Sequence, residues 1–228
     1  MGQVIRSGAS VDLIESDVRA TMRAATARGG DVQAAVEARL GPAAAALETT
    51  SATLAAASEA AEVGWSVVAA RDAEADLVIK RVRDEMWNAL GRPKEHIAMA
   101  HVFAGGVGTY VSGSLLEQPV LMGVLASRIQ TAEGAPAWTA ERRATWVAEI
   151  TAARGPLEAA VTAFRPLEAA RVVADAERRG AARTAQARLV RLKQDLKDLG
   201  MTETQIHELI PDRSAPSKKR PEEPPAEG

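Results

Sequence analysis

The chain has 228 residues, with 28 Lys and Arg against 30 Asp and Glu and a formal net charge of −2, so nucleic acid is not expected as an obligate partner. The absence of cysteine excludes disulfides, thiolate metal sites and cysteine nucleophiles, and it fits a reducing, cytoplasmic compartment. Hydrophobic residues make up 46% of the chain but aromatic ones only 3%. Alanine fills much of the difference, and it favours helices that approach closely over strands.

Residues 1–8 read as a disordered lead-in without the apolar stretch of a secretory signal. A first helix is expected from Ser10, a plausible cap, to Arg28, where Gly29-Gly30 stops it. A second, short helix runs from Asp31 to Leu40 and ends at Gly41-Pro42. Pro42 then opens the longest helix, since proline at a first helical position lacks only an N–H that would be unpaired anyway.

Along that helix apolar residues recur at alternating steps of four and three: Leu47, Leu54, Ala61, Trp65, Val68, Ala75, Ile79, Val82, Met86 and Ala89, with Ser51, Ser58 and Asp72 as polar interruptions. A stripe that keeps phase for this long is the mark of a helix packed in coiled-coil fashion. Asp72 has two readings: a residue at the seam edge that reaches water, or a buried polar group that fixes register against a basic partner. Gly91 and Pro93 end the helix.

Residues 94–118 break the pattern. Gly105, Gly106, Gly108 and Gly113 cluster there, with few charges and with Phe103 and Tyr110. This stretch reads as a Gly-rich apolar linker, as a docking surface built from Phe103, Val107, Tyr110, Leu115 and Leu116, or as a membrane-active tongue over 97–116. The glycines match neither a P-loop nor a dinucleotide fingerprint. His96 and His101 are not spaced to share a helix face, and no Glu lies three residues before either, so neither a zinc site nor a di-iron bundle site is expected. Ser112-Gly113-Ser114 has no identifiable base partner.

A helix restarts near Leu115 or Pro119 and continues to Gln130, followed by a turn at 133–136. Thr139 can cap the next helix, Ala140 to Arg154, and Gly155-Pro156 repeats the earlier Gly-Pro device. The last long helix, Pro156 to Leu199, is expected to kink at Pro166. It closes on a seam of Ala182, Ala185, Leu189, Leu192, Leu196 and Leu199, after a phase slip near Arg178-Arg179-Gly180. Its basic run (Arg178, Arg179, Arg183, Arg188, Arg191, Lys193, Lys197) lacks aromatics for base stacking, and reads as a solvated face that acids such as Asp72 and Asp76 could neutralise. Thr202 and Gln205 form a capping box for a short helix ending before Pro211, and residues 212–228 read as a disordered Pro-rich charged tail.

The expected fold is therefore all-α: an elongated antiparallel bundle of four or more helices with coiled-coil-like packing, one domain over 9–211. The order short helix, Gly-Pro, long helix occurs twice, and if this reflects duplication the fold is two helical hairpins about a pseudo-twofold axis. No apolar run reaches the roughly 18 residues of a membrane span. The functional expectation is a non-enzymatic interaction or scaffolding protein that binds another protein or itself, with no cofactor, metal or small-molecule ligand. Its Ala- and Arg-rich usage is that of a bacterial chain from a GC-rich genome. The rival expectations are a membrane-active protein using 97–116 and a nucleic-acid-associated protein using the basic helix 177–198 and the tail.

Overall fold

In a computed structural model the described residues are 9–133 and 135–211. The expected lead-in 1–8 and tail 212–228 lie outside them. The described residues form seven helices and no strand: α1 (Val11–Arg28), α2 (Gly30–Ala89), α3 (Ile97–Val102), α4 (Gly108–Val111), α5 (Gln118–Thr131), α6 (Ala140–Asp198) and α7 (Glu203–Leu209). The all-α expectation holds.

Local caps act where the sequence places them. The Ser10 side chain accepts the Leu13 N–H, and Gly29, at φ 68°, donates its N–H to the Ala25 carbonyl. Thr139 Oγ1 accepts the Arg142 N–H at 3.3 Å, and Thr202 with Gln205 forms a capping box.

Two expected breaks are corrected. α2 runs through Gly41-Pro42 and α6 through Gly155-Pro156 and Pro166, so the short helices 31–40 and 140–154 are not separate elements. The physical reason is where the prolines point. Pro42, Pro156 and Pro166 are all exposed, as are Ala38, Ala152 and Thr162 four residues earlier. The carbonyl that loses its helical donor therefore faces water, which satisfies it. On the opposite side of α2 the buried row Val36, Leu40, Ala43 and Leu47 keeps its phase across Pro42.

The chain divides into two compact units, residues 1–55 with 173–228 and residues 56–172. In the first, α1, the start of α2, the end of α6 and α7 enclose an aliphatic core that includes Ile14, Val18, Leu40, Leu47, Leu189, Leu192, Leu196, Ile206 and Leu209. Arg39 of α2 forms a two-pronged ion pair with Asp195 of α6, at 2.6 and 2.9 Å, and Arg178 Nε donates to Ser51 Oγ at 3.0 Å. Partner numbers rise on one helix as they fall on the other, so the two segments are antiparallel. Arg178 also donates to Asp12 at 2.6 Å and to Glu15 at 3.0 Å on α1. The position read as a phase slip is thus an arginine held at the seam. The acids that meet it, Asp12 and Glu15, lie on α1; Asp72 and Asp76, named as acids that could neutralise the basic face, are not its partners. Leu199, expected to close the seam, falls beyond α6 and is 45% exposed.

In the second unit, the α2 residues Val68, Ala75, Ile79, Val82 and Met86 share one buried cluster with Met122, Leu125 and Ile129 of α5 and with Trp146, Ile150, Leu157, Val161 and Phe164 of α6. Contacts of Gly64 with Leu167, Arg81 with Glu149 and Glu85 with Trp146 again run antiparallel. At Gly64 the helices approach so closely that a Cβ would stand 2.7 Å from Leu167 Cδ1. This explains a further correction. Trp65, expected in the seam, is 41% exposed, because an interface narrow enough to need glycine has no room for an indole; the ring lies alongside, 5.3 Å from Phe164. Leu54 is half-buried, while Leu47, Val68, Ile79, Val82, Met86, Leu189, Leu192 and Leu196 are buried as expected.

Candidate interaction site

Residues 94–118 belong to the second unit and are shaped by their glycines and a few polar tethers. His96 caps α3: its Nδ1 accepts the Ala98 N–H at 3.1 Å. α3 is one short piece of helix that buries Ala98 and Val102, four residues apart and hence on one face. Gly105 and Gly106, at φ 82° and 84°, turn the chain into α4 in a conformation that a side chain would strain. Gln118, only 1% exposed, donates through Nε2 to the Tyr110 carbonyl and to Asp76 Oδ1 on α2. The Tyr110 hydroxyl donates to the Val102 carbonyl at 3.2 Å and accepts from Arg128 at 2.7 Å. These bonds tie α3 and α4 to α5, and through Gln118 to α2.

Of the three readings of this stretch, the exposed apolar tongue over 97–116 is not what the buried Phe103 and Tyr110 form. Phe103 and Tyr110 are 6% and 1% exposed and pack edge to face with ring centres 5.9 Å apart. Val107, Leu115 and Leu116 are half-buried against the same cluster as Ile79 and Met86. A short irregular segment with large apolar side chains has little helical hydrogen bonding to stabilise it, so it is held by burying those side chains.

What the segment leaves outside is Ile97, 79% exposed and the most exposed large hydrophobic residue among those described. It is one of the residues lining an open cleft of about 640 Å³, with Arg83, Lys94, Glu95, His96, Met99, Ala100, Phe103, Gly106 and Val107. Since His96 Nδ1 accepts a hydrogen bond, the neutral ring carries its proton on Nε2. Arg83 is bonded to Asp84 at 2.6 Å and lies over the Trp87 ring, 5.3 Å from its centre. Ile97 was not singled out in the sequence, because nothing in the spacing of this short segment tells which apolar residue stays outside.

A second groove, of about 720 Å³, is lined by Gln130 of α5 and by Ala140, Arg143, Ala144, Val147, Ala148, Thr151 and Ala152 of α6. Its one cation, Arg143, already donates to the Ala132 and Trp138 carbonyls.

Asp72, the polar interruption of the α2 seam, is half-buried. Burial raises its carboxyl pKa above the ordinary value, the charge of Asp76 adds to this, and Lys80 opposes it. Asp76 is raised for the same first reason, with Lys80 at 3.4 Å lowering it. The cation facing this pair thus lies on the same helix and fixes no register between helices.

Among the described residues no group of three or more His, Asp or Glu side chains is placed to hold a metal ion, and no helix is long and apolar enough to cross a membrane. Comparison with known proteins gives no matching family model, curated protein or solved structure.

Proposed function

We propose that the protein acts without catalysis, as a helical scaffold that presents the α3 cleft to a protein partner. The observation that carries this is Ile97, a β-branched aliphatic side chain held 79% exposed in the lining of an open cleft that also includes Met99, Phe103 and Val107. Burying such a side chain is worth about 1.5–3 kcal/mol. Interfaces draw most of their energy from a few anchors of this kind placed next to a pocket. Local structure holds the anchor in place: the His96 cap fixes the start of α3, and Ala98 and Val102 pin its inner face. The polar groups of the cleft (Arg83, Lys94, Glu95, His96) suit recognition, and none of them is a nucleophile paired with a base.

The test is site-specific photocrosslinking. A photoreactive residue replaces Ile97 in one version of the chain and Val190, an exposed residue of the other unit, in a second. In lysate of the source cells the version labelled at 97 is expected to give one discrete protein adduct that the version labelled at 190 does not. An adduct of twice the chain mass identifies the partner as a second copy. No adduct at 97, or the same smear from both positions, removes the reading.

A further inference from the structure

We infer that the outward face of α2 is a self-association surface, on which a second copy of the chain packs antiparallel about a twofold axis at Ala70. This surface uses none of the α3 cleft. α2 keeps a seven-residue repeat: Ala61, Val68, Ala75 and Val82 are at most 5% exposed and form its inner row. Ala56, Val63, Ala70 and Leu77 stand five residues before each of these, about 140° around the helix. All four are exposed, Val63 by 61% and Leu77 by 68%. Helix positions that face only water are ordinarily charged or polar. Here they make a second apolar row, and Val67, 46% exposed, widens it. α6 extends the same face. Val67 lies two heptads before Arg81, and Ala163 two heptads after Glu149, so both lie on the side of the helix pair that carries the Arg81–Glu149 ion pair. α5 covers the other side, where Gln118 meets Asp76 and Gly123 meets Arg154, each five residues from that ion pair. From Ala56 to Lys80 α2 rises about 36 Å, and two packed helices span about 20 Å. The face therefore offers about 700 Å², close to the roughly 800 Å² per partner of a stable interface.

The occupant follows from the symmetry of the row. A twofold contact requires a surface complementary to itself. Val63 and Leu77 lie seven residues on either side of Ala70, so an antiparallel copy sets Val63 of each chain against Leu77 of the other, with Ala70 on the axis. Glu59 and Lys80, three heptads apart on one edge of the row, come opposite each other in the same register, within a residue. Glu59 makes no ion pair among the described residues. Lys80 reaches Asp76 only at 3.4 Å and keeps a side chain 52% exposed. Opposite charges on both sides of the axis select this register over the parallel one. Glu74, on the α6 edge of the row, is already held by Arg71 at 2.7 Å. The carbonyls freed by Pro156 and Pro166 keep their water at this contact, as stable interfaces commonly do.

The test is sedimentation equilibrium of the full chain over a concentration series reaching about 100 μM, where a dimer is expected to form, and to weaken at least about tenfold in Leu77→Glu. Every substituted position is exposed, so circular dichroism should show the variants folded as wild type. The register is read by disulfide trapping, which is clean because the chain has no cysteine. Ala70→Cys alone should give a covalent dimer under mild oxidation. Val63→Cys alone should not, but should when mixed with Leu77→Cys. A chain that stays monomeric across the series, or a dimer indifferent to Leu77→Glu, overturns the assignment of this face to a second copy. A Leu77-dependent dimer in which Ala70→Cys fails to crosslink, or in which Val63→Cys crosslinks to itself as readily as to Leu77→Cys, overturns the antiparallel arrangement on which the inference stands.

Discussion

Every tryptophan, phenylalanine and tyrosine of the chain lies between residues 56 and 172; the unit formed by residues 1–55 and 173–228 has none. That aliphatic unit joins helices whose apolar rows run in regular register. Leu, Ile, Val and Ala fill such a seam, and charged pairs at its edge, Arg39–Asp195 and Arg178 with Asp12 and Glu15, fix which helices meet. The other unit must also cover the short helices α3 and α4 and the turns around them. There the large rings supply volume, and their polar atoms satisfy backbone that has left helical geometry or ends a helix. Trp138 Nε1 donates to the Met86 carbonyl at 3.0 Å, Trp87 Nε1 to the Pro93 carbonyl at 2.9 Å, and the Tyr110 hydroxyl to the Val102 carbonyl. Regular packing needs only apolar shape, whereas irregular packing needs apolar volume with a polar handle.

This division also makes tryptophan fluorescence a reporter of the aromatic unit, while circular dichroism reads helix throughout. The largest effect should come from Ile79→Asp, which places an unpaired carboxylate at a position 0% exposed. It is expected to cost about 4 kcal/mol or more and to lower the fluorescence-detected melting midpoint sharply. An unchanged midpoint would show that the α2 seam does not carry this unit.

Trp138→Leu removes both the ring and its bond to Met86 and should cost about 3 kcal/mol. If an aliphatic of reduced volume served equally well, the contrast drawn between the units would fail. In the aliphatic unit, Arg178→Met should cost only about 1 kcal/mol. Its signature is salt: the gap in melting midpoint between variant and wild type should narrow as ionic strength rises. A gap indifferent to salt would mean that Arg178 acts through its methylene packing.

The smallest effect is expected from Asp72→Asn. A folded-state carboxyl pKa above the unfolded one means that the folded chain binds more protons between those two values, so stability falls as pH rises through that window. Asp72→Asn removes the penalty and should melt slightly higher than wild type at neutral pH. The difference should close as pH drops below the ordinary carboxylate range. A constant difference down to acid pH would show that burial of the charge is not its cause.

Much of the architecture was legible because it rests on short-range chemistry. Ser10, Gly29, Thr139 and the Thr202–Gln205 box act within a turn of their own positions, and they mark helix ends as read. The rows Val68–Met86 and Leu189–Leu196 are buried because a repeat of four and three allows no other face inward. The candidate site was read only in part. The stretch 94–118 stood out by its glycines and low charge, yet the residues picked from it for exposure, Phe103 and Tyr110, are the ones the fold covers, while Ile97 was passed over. Hydrophobicity gives the cost of exposing a side chain and does not give which one an irregular segment leaves outside.

The sequence by itself determined the helical class, the inward faces of α2 and α6 and the caps that start α1 and α7, since these depend on residues within a few positions of one another. Tertiary structure alone decided that Pro42, Pro156 and Pro166 sit inside continuous helices, that Trp65 is pushed from its seam by the close approach at Gly64, and that Ile97 is left exposed in the lining of a cleft. Each of those outcomes turns on what lies across from a residue in space: water beside a proline, a Leu167 methyl beside a glycine, an open concavity beside an isoleucine. Local spacing along the chain carries none of that information.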